Sequence, residues 1–241
     1  MISIVEQIFR HGISEPAKTA LHNGRVNISY GELLNKILSA RNILSGKFSL
    51  KHGDSVILSA DKQIEFVSVY FACHLLEITA LPVSPDINPK RYAMIKDKVN
   101  PALIVGFRDD SGGFMTAGFH DFDGSAYIDD FGGVVFPSMD STADIIFTTG
   151  TTGEPKGVKL SHRNISAAAR NINTYIANSH NDVEMLVLPV SHSFGLGRMR
   201  CALSNGQTLI MLGSLANVKR FFRFMNEYQV NGGFLEVEFA R

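Results

Sequence analysis

The chain has 241 residues, with 23 basic and 23 acidic side chains and a formal net charge of zero. That balance excludes the basic footprint of a nucleic-acid binder and the charge that would hold an anionic membrane surface. A hydrophobic fraction of 45% excludes a disordered chain, and the length allows one large domain or two small ones. Cys73 and Cys201 are too few for a disulfide framework and read as buried, reduced thiols. Glu6 and Gln7 interrupt the first apolar segment, which argues against a secretory signal. No apolar run reaches the roughly 18 residues that span a bilayer. The expectation is a soluble, cytoplasmic protein with no transmembrane segment and no nucleic-acid partner.

In chain order, Ile4, Val5, Ile8 and Phe9 recur at helical spacing and predict a short amphipathic opening helix. Ser29 and Glu32 stand at capping-box spacing and predict a helix running on through Ile37, Leu38 and Leu44. Asp54 to Ala60 reads as a buried strand, Glu65 to Leu76 as an apolar helix and Ile78 to Val83 as another strand. Pro89 opens a further helix, and Pro101 to Val105 returns to strand. This alternation predicts an α/β fold with a mainly parallel sheet and helices on both faces. Residues 107–143 break the pattern with glycines at 112–113, 118, 124 and 132–133 among scattered acids. Asp121-Phe122-Asp123-Gly124-Ser125 lacks the glutamate at position twelve of a calcium loop. The segment reads as a solvated, irregular connection rather than a separate domain.

The apolar run Ile145-Ile146-Phe147 then feeds Thr148-Thr149-Gly150-Thr151-Thr152-Gly153, followed by Glu154-Pro155-Lys156-Gly157-Val158. Glycines let backbone N–H groups turn toward a ligand where a side chain would clash, and threonine hydroxyls add donors beside them. Lys156 supplies a point charge suited to a phosphate oxygen. This is the chemistry of a loop wrapping a polyphosphate. The Walker loop requires lysine directly after its second glycine, and neither Gly150 nor Gly153 provides that register, which removes a P-loop kinase or GTPase. Thr148 through Val158 instead resembles the phosphate loop of the AMP-forming adenylate superfamily, in which a Ser/Thr/Gly-rich run ends in Pro-Lys-Gly. Tyr30-Gly31-Glu32-Leu33, Gly53-Asp54-Ser55-Val56 and Ala80-Leu81-Pro82-Val83 resemble, in order, that family's Y-x-E-L element, its G-D-x-V strand and its strand reaching a proline.

Past the loop, Ser161 is a natural N-cap for a helix over Ile165 to Ile176, which the Ala167-Ala168-Ala169 run favours. The loop is therefore expected between a strand and a helix, with residues 157–160 interposed and a helix-dipole contribution left open. Met185 to Leu188 reads as a strand ending at Pro189-Val190-Ser191-His192-Ser193-Phe194-Gly195. This resembles the family's P-x-x-H-x-x-G element. The resemblance implies that His192 lines or gates the acyl pocket, with Ser193, Phe194 and Gly195 shaping its wall. Amino-acid-activating members usually place an aspartate here. Residues 185–212 contain none, and Glu184 is the only nearby glutamate, so a fatty or aryl acid is favoured. Arg198 and Arg200 are expected to be solvated on a helix surface. Asn205-Gly206 marks a turn into a strand over Gln207 to Leu212. Val218, Phe221, Phe222 and Met225 form the stripe of a helix covering a sheet, and Leu235, Val237 and Phe239 alternate as in a half-exposed strand.

The resemblance implies that residues 1–241 are the incomplete front part of a large N-terminal domain. A first α/β portion (1–106) and the irregular connection (107–143) precede the phosphate-loop portion (144–241). Nothing in the chain matches the family's later N-x-Y-G-x-T-E and Y-x-T-G-D segments, or its small C-terminal domain with the adenylating lysine. No catalytic residue is assigned, and the chain is expected to be a fragment, inactive alone. The implied activity is ATP-dependent conversion of a carboxylic acid to acyl-adenylate with release of pyrophosphate. Transfer to a thiol would follow, either coenzyme A or an acyl carrier, as in fatty acid metabolism. Thr148, Thr149, Gly150, Thr151, Thr152, Gly153 and Lys156 would hold the nucleotide phosphates, and the Thr148 hydroxyl would approach the accompanying Mg²⁺. The alternative is a non-catalytic module that binds nucleotide or acyl ligand.

Overall fold

The computed structural model describes residues 1–61, 64–107, 113–123, 133–148, 154–212 and 218–233. The chain divides into two compact units, one mainly of Met1–Leu34 and the stretch from Ile165 onward, the other of Asn35–Asp61 and Glu65–Asn164. The expected tail strand, Leu235 to Phe239, lies outside the described residues.

In the first unit, α1 (Ile4–Ser14) buries Ile4, Val5, Ile8 and Phe9, and the Ser3 hydroxyl caps it by accepting from the Glu6 N–H. Strands β1 (Thr19–His22) and β2 (Asn27–Ser29) form a hairpin that the sequence reading passed over. At the start of α2 (Tyr30–Gly46) the predicted capping box is present. The Ser29 N–H donates to Glu32 at 2.8 Å, and the Glu32 N–H donates to the Ser29 hydroxyl at 3.2 Å.

The second unit is built on strands whose short apolar runs suit a sheet buried on both faces. β3 (Ser55–Ser59) pairs in parallel with β4 (Thr79–Val83) and with β5 (Leu103–Val105). Between them in sequence lie α3 (Ile64–Leu75) and α4 (Pro89–Val99). Asn88 caps α4 by accepting from the Lys90 and Arg91 N–H groups, and proline occupies the first helical position, as the sequence predicts. The irregular connection contributes β6 (Thr116–Ala117) and a 3₁₀ turn over Phe119–Phe122. β7 (Thr142–Thr148) adds in parallel to β4, and β8 (Lys156–Ser161) turns back antiparallel along it. The order is β6-β5-β3-β4-β7-β8, and Ile57, Leu81, Val83, Ile95 and Ile104 form the buried core beside it.

Helix α5 (His162–Tyr175) leads back to the first unit, where β9 (Val183–Leu186), α6 (Ser193–Ser204), β10 (Thr208–Met211), α7 (Val218–Glu227) and β11 (Gly232–Gly233) follow. Their sheet has the order β11-β9-β10-β1-β2, parallel throughout except for β1–β2. The parallel α/β expectation holds, with the strands divided between two sheets. Helix α7 does cover sheet residues, but through Phe224, which is buried with Met185 and Ile210, while Phe221 and Met225 pack alongside. Val218 and Phe222 of the predicted stripe are 60% and 58% exposed.

Tyr30, at the head of α2, is fully buried and donates to the Gln207 carbonyl at 2.7 Å. Burial pushes its phenol pKa far above the ordinary value of 10, so it remains a donor at every accessible pH. Tyr30→Phe is expected to lower stability by about 1–3 kcal/mol, because it strands a buried acceptor, and urea unfolding followed by circular dichroism measures that loss.

Candidate functional site: the phosphate-loop hairpin and the His192 element

The segment read as a phosphate loop lies between the two strands of a hairpin, β7 and β8. Register pairs Phe147 with Gly157 and Thr148 with Lys156, leaving residues 149–155 to make the connection. Thr149, Gly150, Thr151, Thr152 and Gly153 lie outside the described residues; Thr148 and Lys156 flank them, both exposed. The Thr148 hydroxyl makes a long bond of 3.5 Å to the Lys156 carbonyl, so its oxygen remains open to another partner. At Gly157 an added Cβ would come within 2.9 Å of the Ile145 side chain, which explains glycine after the lysine on packing grounds alone.

This hairpin corrects the expected path from loop to helix. Residues 156–161 are strand, and α5 starts only at His162, so six residues of strand, about 20 Å at 3.3 Å each, separate the helix N-terminus from the loop end. A dipole contribution from α5 to the loop is thereby removed. The strand escaped notice because it is largely exposed and carries Lys156 and Lys159, residues that protect a sheet edge and dilute the apolar signal. Ser161 does cap α5: its hydroxyl accepts from the Asn164 N–H at 3.2 Å, and the Asn164 side chain accepts from the Ser161 N–H at 3.0 Å.

A cleft of about 480 Å³ beside the hairpin is lined by apolar Val99, Ile145 and Phe147 and by Lys98, Lys156 and Lys159. Lys98, on α4, donates to the Pro155 carbonyl at 3.3 Å and so ties that helix to the trailing end of the loop. No sequence signal marked it, since one lysine among several on an exposed helix carries no pattern.

In the other unit, β9 ends in the segment that leads to α6. His192 is the N-cap residue, with extended backbone angles and no capping bond from its ring. His192, Ser193 and Phe194 are exposed, whereas Gly195 is buried. A Cβ at Gly195 would stand 2.2 Å from the Pro189 carbonyl oxygen and 2.8 Å from its carbon. Only glycine lets the chain fold back onto Pro189, and this close approach fixes where His192 and Phe194 emerge.

The two arginines of α6 are not solvated. Arg198 and Arg200 are 3% and 6% exposed, and Arg198 forms a two-point pair with Glu184 of β9. Its Nε donates to one carboxylate oxygen at 2.8 Å, and its Nη2 donates to the other. Burial raises the Glu184 carboxyl above its ordinary value, opposed by the Arg198 guanidinium. The signal was available: a glutamate within an apolar strand needs a buried cation.

A mainly parallel α/β arrangement, with a threonine- and glycine-rich loop closing an edge hairpin, is that of the front part of an adenylate-forming enzyme. The chain belongs to the AMP-binding enzyme family, whose profile matches residues 9–235. It is 24% identical over 229 residues to the 4-coumarate–CoA ligase-like 9 of Arabidopsis thaliana, covering 86% of this chain and 40% of that protein. It is 27% identical over 226 residues to bacitracin synthase 1 of Bacillus licheniformis, covering 91% of this chain and 4% of that protein. Among solved structures, the N-terminal subdomain of NpsA from Klebsiella oxytoca, bound to 3-hydroxybenzoyl-AMSN, superimposes with a TM-score of 0.86 at 19% identity, over 98% of this chain and 60% of that one. The o-succinylbenzoate CoA synthetase of Bacillus subtilis gives a TM-score of 0.85 at 19% identity, over 94% and 60% of the two chains. The chain spans about 40% of the length of three of the curated CoA ligases it matches. Among the described residues no helix is long and apolar enough to cross a membrane.

Removing one side of the Arg198–Glu184 pair exposes its energetics. Arg198→Met is expected to destabilise by about 3–5 kcal/mol, because it leaves a buried carboxylate uncompensated. Protonating Glu184 relieves that charge. A carboxyl raised in the folded state contributes stability below its unfolded pKa and loses it as pH rises through the folded value. The deficit of the variant should therefore shrink toward pH 4 and grow toward pH 7, as read from denaturation midpoints across that range.

Proposed function

We propose that this chain forms the phosphate- and acyl-binding part of an enzyme that activates a carboxylic acid with ATP. A carboxylate oxygen attacks the α-phosphorus and the bond to the β-phosphate bridging oxygen breaks. The products are acyl-adenylate and pyrophosphate. A thiol such as coenzyme A or a carrier pantetheine then attacks the acyl carbon, and AMP leaves. The observation that carries this reading is the hairpin register, which sets Thr148 and Lys156 opposite each other at the two ends of a loop with the family's phosphate-binding composition.

In this reading Lys156 offsets charge on the β- and γ-phosphates, and Thr148 donates from its hydroxyl. Residues 149–153 would supply backbone and hydroxyl donors to the same oxygens. Donors fixed before the reaction act most strongly on the charge that develops on departing pyrophosphate. Among the described residues no group of three or more histidine, cysteine, aspartate or glutamate side chains converges on a metal. The Thr148 hydroxyl oxygen would be the protein's contribution to holding a Mg²⁺ brought in with the nucleotide. Such an ion supplies further charge neutralisation on the phosphates.

On the acyl side, His192 and Phe194 would meet the acid, placed by the Gly195–Pro189 contact. Glu184 is already paired with Arg198, which favours a fatty or aryl acid over one bearing an ammonium group. The coumarate-type and succinylbenzoate ligases among the relatives agree with an acyl-CoA product, and the peptide synthetases supply the carrier-thiol alternative.

Lys156→Ala in the complete enzyme is expected to lower acid-dependent ATP–pyrophosphate exchange by about 100-fold with little loss of folding stability. An unchanged rate would remove Lys156 from the phosphate site. His192→Ala is expected to redistribute kcat/KM across a panel of aliphatic and aryl acids by roughly tenfold between best and worst substrates, about 1.4 kcal/mol of discrimination. Identical relative rates across the panel would refute the pocket assignment.

A further inference from the structure

Four polar side chains lie fully buried in the unit that carries the phosphate-loop hairpin: Tyr70 and His74 of α3, Asp144 of β7 and His162, the first residue of α5. Tyr70 donates from its hydroxyl to one Asp144 oxygen at 3.2 Å, and His74 Nε2 lies 3.2 Å from the other. Because the carboxylate accepts, the His74 proton sits on Nε2. The His74 and His162 rings meet edge to face with centroids 4.9 Å apart, and Tyr70 and His74 lie 4.3 Å apart. Cys73 is buried on the same helix as His74, and burial first, with the Asp144 charge second, pushes its thiol pKa well up.

The position of this cluster is its most informative property. Asp144 stands on the strand that enters the phosphate loop, and His162 directly follows the strand that leaves it. Both reach His74 on a third element, so the cluster holds the two roots of the hairpin at the end away from the loop. The β7–β8 register also shifts here: Thr142 faces Ser161, but Asp144 faces Leu160, which inserts one extra residue in β7. Such a bulge re-aims the side chain beside it. It leaves Ala143 and Asp144 buried in succession, where simple alternation would expose one of them. Among the described residues β8 is an edge strand paired only with β7, and a one-residue slip of either hairpin strand would turn that strand's side chains to the opposite face. A carboxylate that must meet a tyrosine and a histidine in the interior makes that slip costly, because a slipped Asp144 would be buried without partners.

We infer that Tyr70, His74, Asp144 and His162 are positioning residues that fix the β7–β8 register and thereby the placement of Thr148 opposite Lys156. The register claim stands on the geometry alone; its consequence for nucleotide affinity rests on the phosphate-loop reading above.

Amide hydrogen exchange of the 241-residue chain, without ligand, tests the register. His74→Leu is expected to speed exchange across 144–148 and 156–161 by about tenfold while Ser55–Ser59 of β3 keeps its protection, and His74→Gln, which keeps a side-chain N–H donor, should restore the hairpin to within about twofold. Unchanged hairpin exchange overturns the inference. So does an equal rise in β3, which would mean general destabilisation. Should His74→Leu not fold, Asp144→Asn, of the same size, is read by the same two outcomes. Calorimetric titration with Mg·ATP separates the second claim: His74→Leu and Lys156→Ala should each weaken binding by about five- to tenfold, roughly 1.0–1.4 kcal/mol. If Lys156→Ala binds as tightly as the parent, the phosphate reading fails, and the exchange data still decide the register.

Discussion

The antiparallel ladder between β7 and β8 is the constraint on which the candidate nucleotide end of this molecule depends. β7 is anchored inside the sheet through β4, whereas β8, among the described residues, pairs with β7 alone. Everything the sequence assigns to phosphate binding is strung between the two strand ends, so its placement is inherited from their register. A loop rich in glycine and threonine has little conformational preference of its own. In the proposed function, strands flanking it would let its donors be placed before a ligand arrives, and donors already in place would need no reorganisation as charge develops.

The same logic explains why polar groups are buried where they are. The Arg198–Glu184 pair crosses from β9 to α6, at the base of the segment that carries His192. The Tyr70–His74–Asp144 contacts cross from α3 to β7, at the base of the phosphate-loop hairpin. Neither cluster reaches solvent. Hydrophobic residues of similar volume would serve stability as well or better in such positions. What a buried hydrogen-bonded group adds is direction, because it is satisfied in one arrangement and costly in its neighbours. Each cluster lies one step behind a segment whose exposed residues are the candidates for chemistry.

How much of this was legible in the sequence depended on how each element is stabilised. Elements built on an apolar period, a cap or an opening proline were readable: α1 from Ile4, Val5, Ile8 and Phe9, α2 from the Ser29–Glu32 box, and α4 from Pro89. β8 was not, because an edge strand carrying lysines buries too little to leave a period. The β1–β2 hairpin was missed because its strands are only four and three residues long. The Arg198 reading failed because arginine on a helix is usually solvated, and the partner that overrides this preference, Glu184, lies on another element. In the phosphate loop the composition and the Pro-Lys-Gly ending were local and therefore legible. The Lys98–Pro155 bond and the histidine–aspartate cluster join residues distant in sequence, and no local pattern encodes them.

Substrate class turns on the accounting of buried charge. An amino acid brings an ammonium group into the acyl pocket, and a desolvated ammonium needs a carboxylate with oxygens to spare. Between residues 185 and 212 the chain has no acidic side chain, and Glu184, just before them, spends both oxygens on Arg198. Diverting Glu184 to a substrate would break its two-point pair with a guanidinium that is only 3% exposed, a cost comparable to what the new contact could gain. Relatives that act as CoA ligases and relatives that assemble peptides match this chain at similar identity, so overall likeness does not choose between them. Under the function proposed above, the pairing of Glu184 with Arg198 weighs toward an acid whose only charged group is its carboxylate.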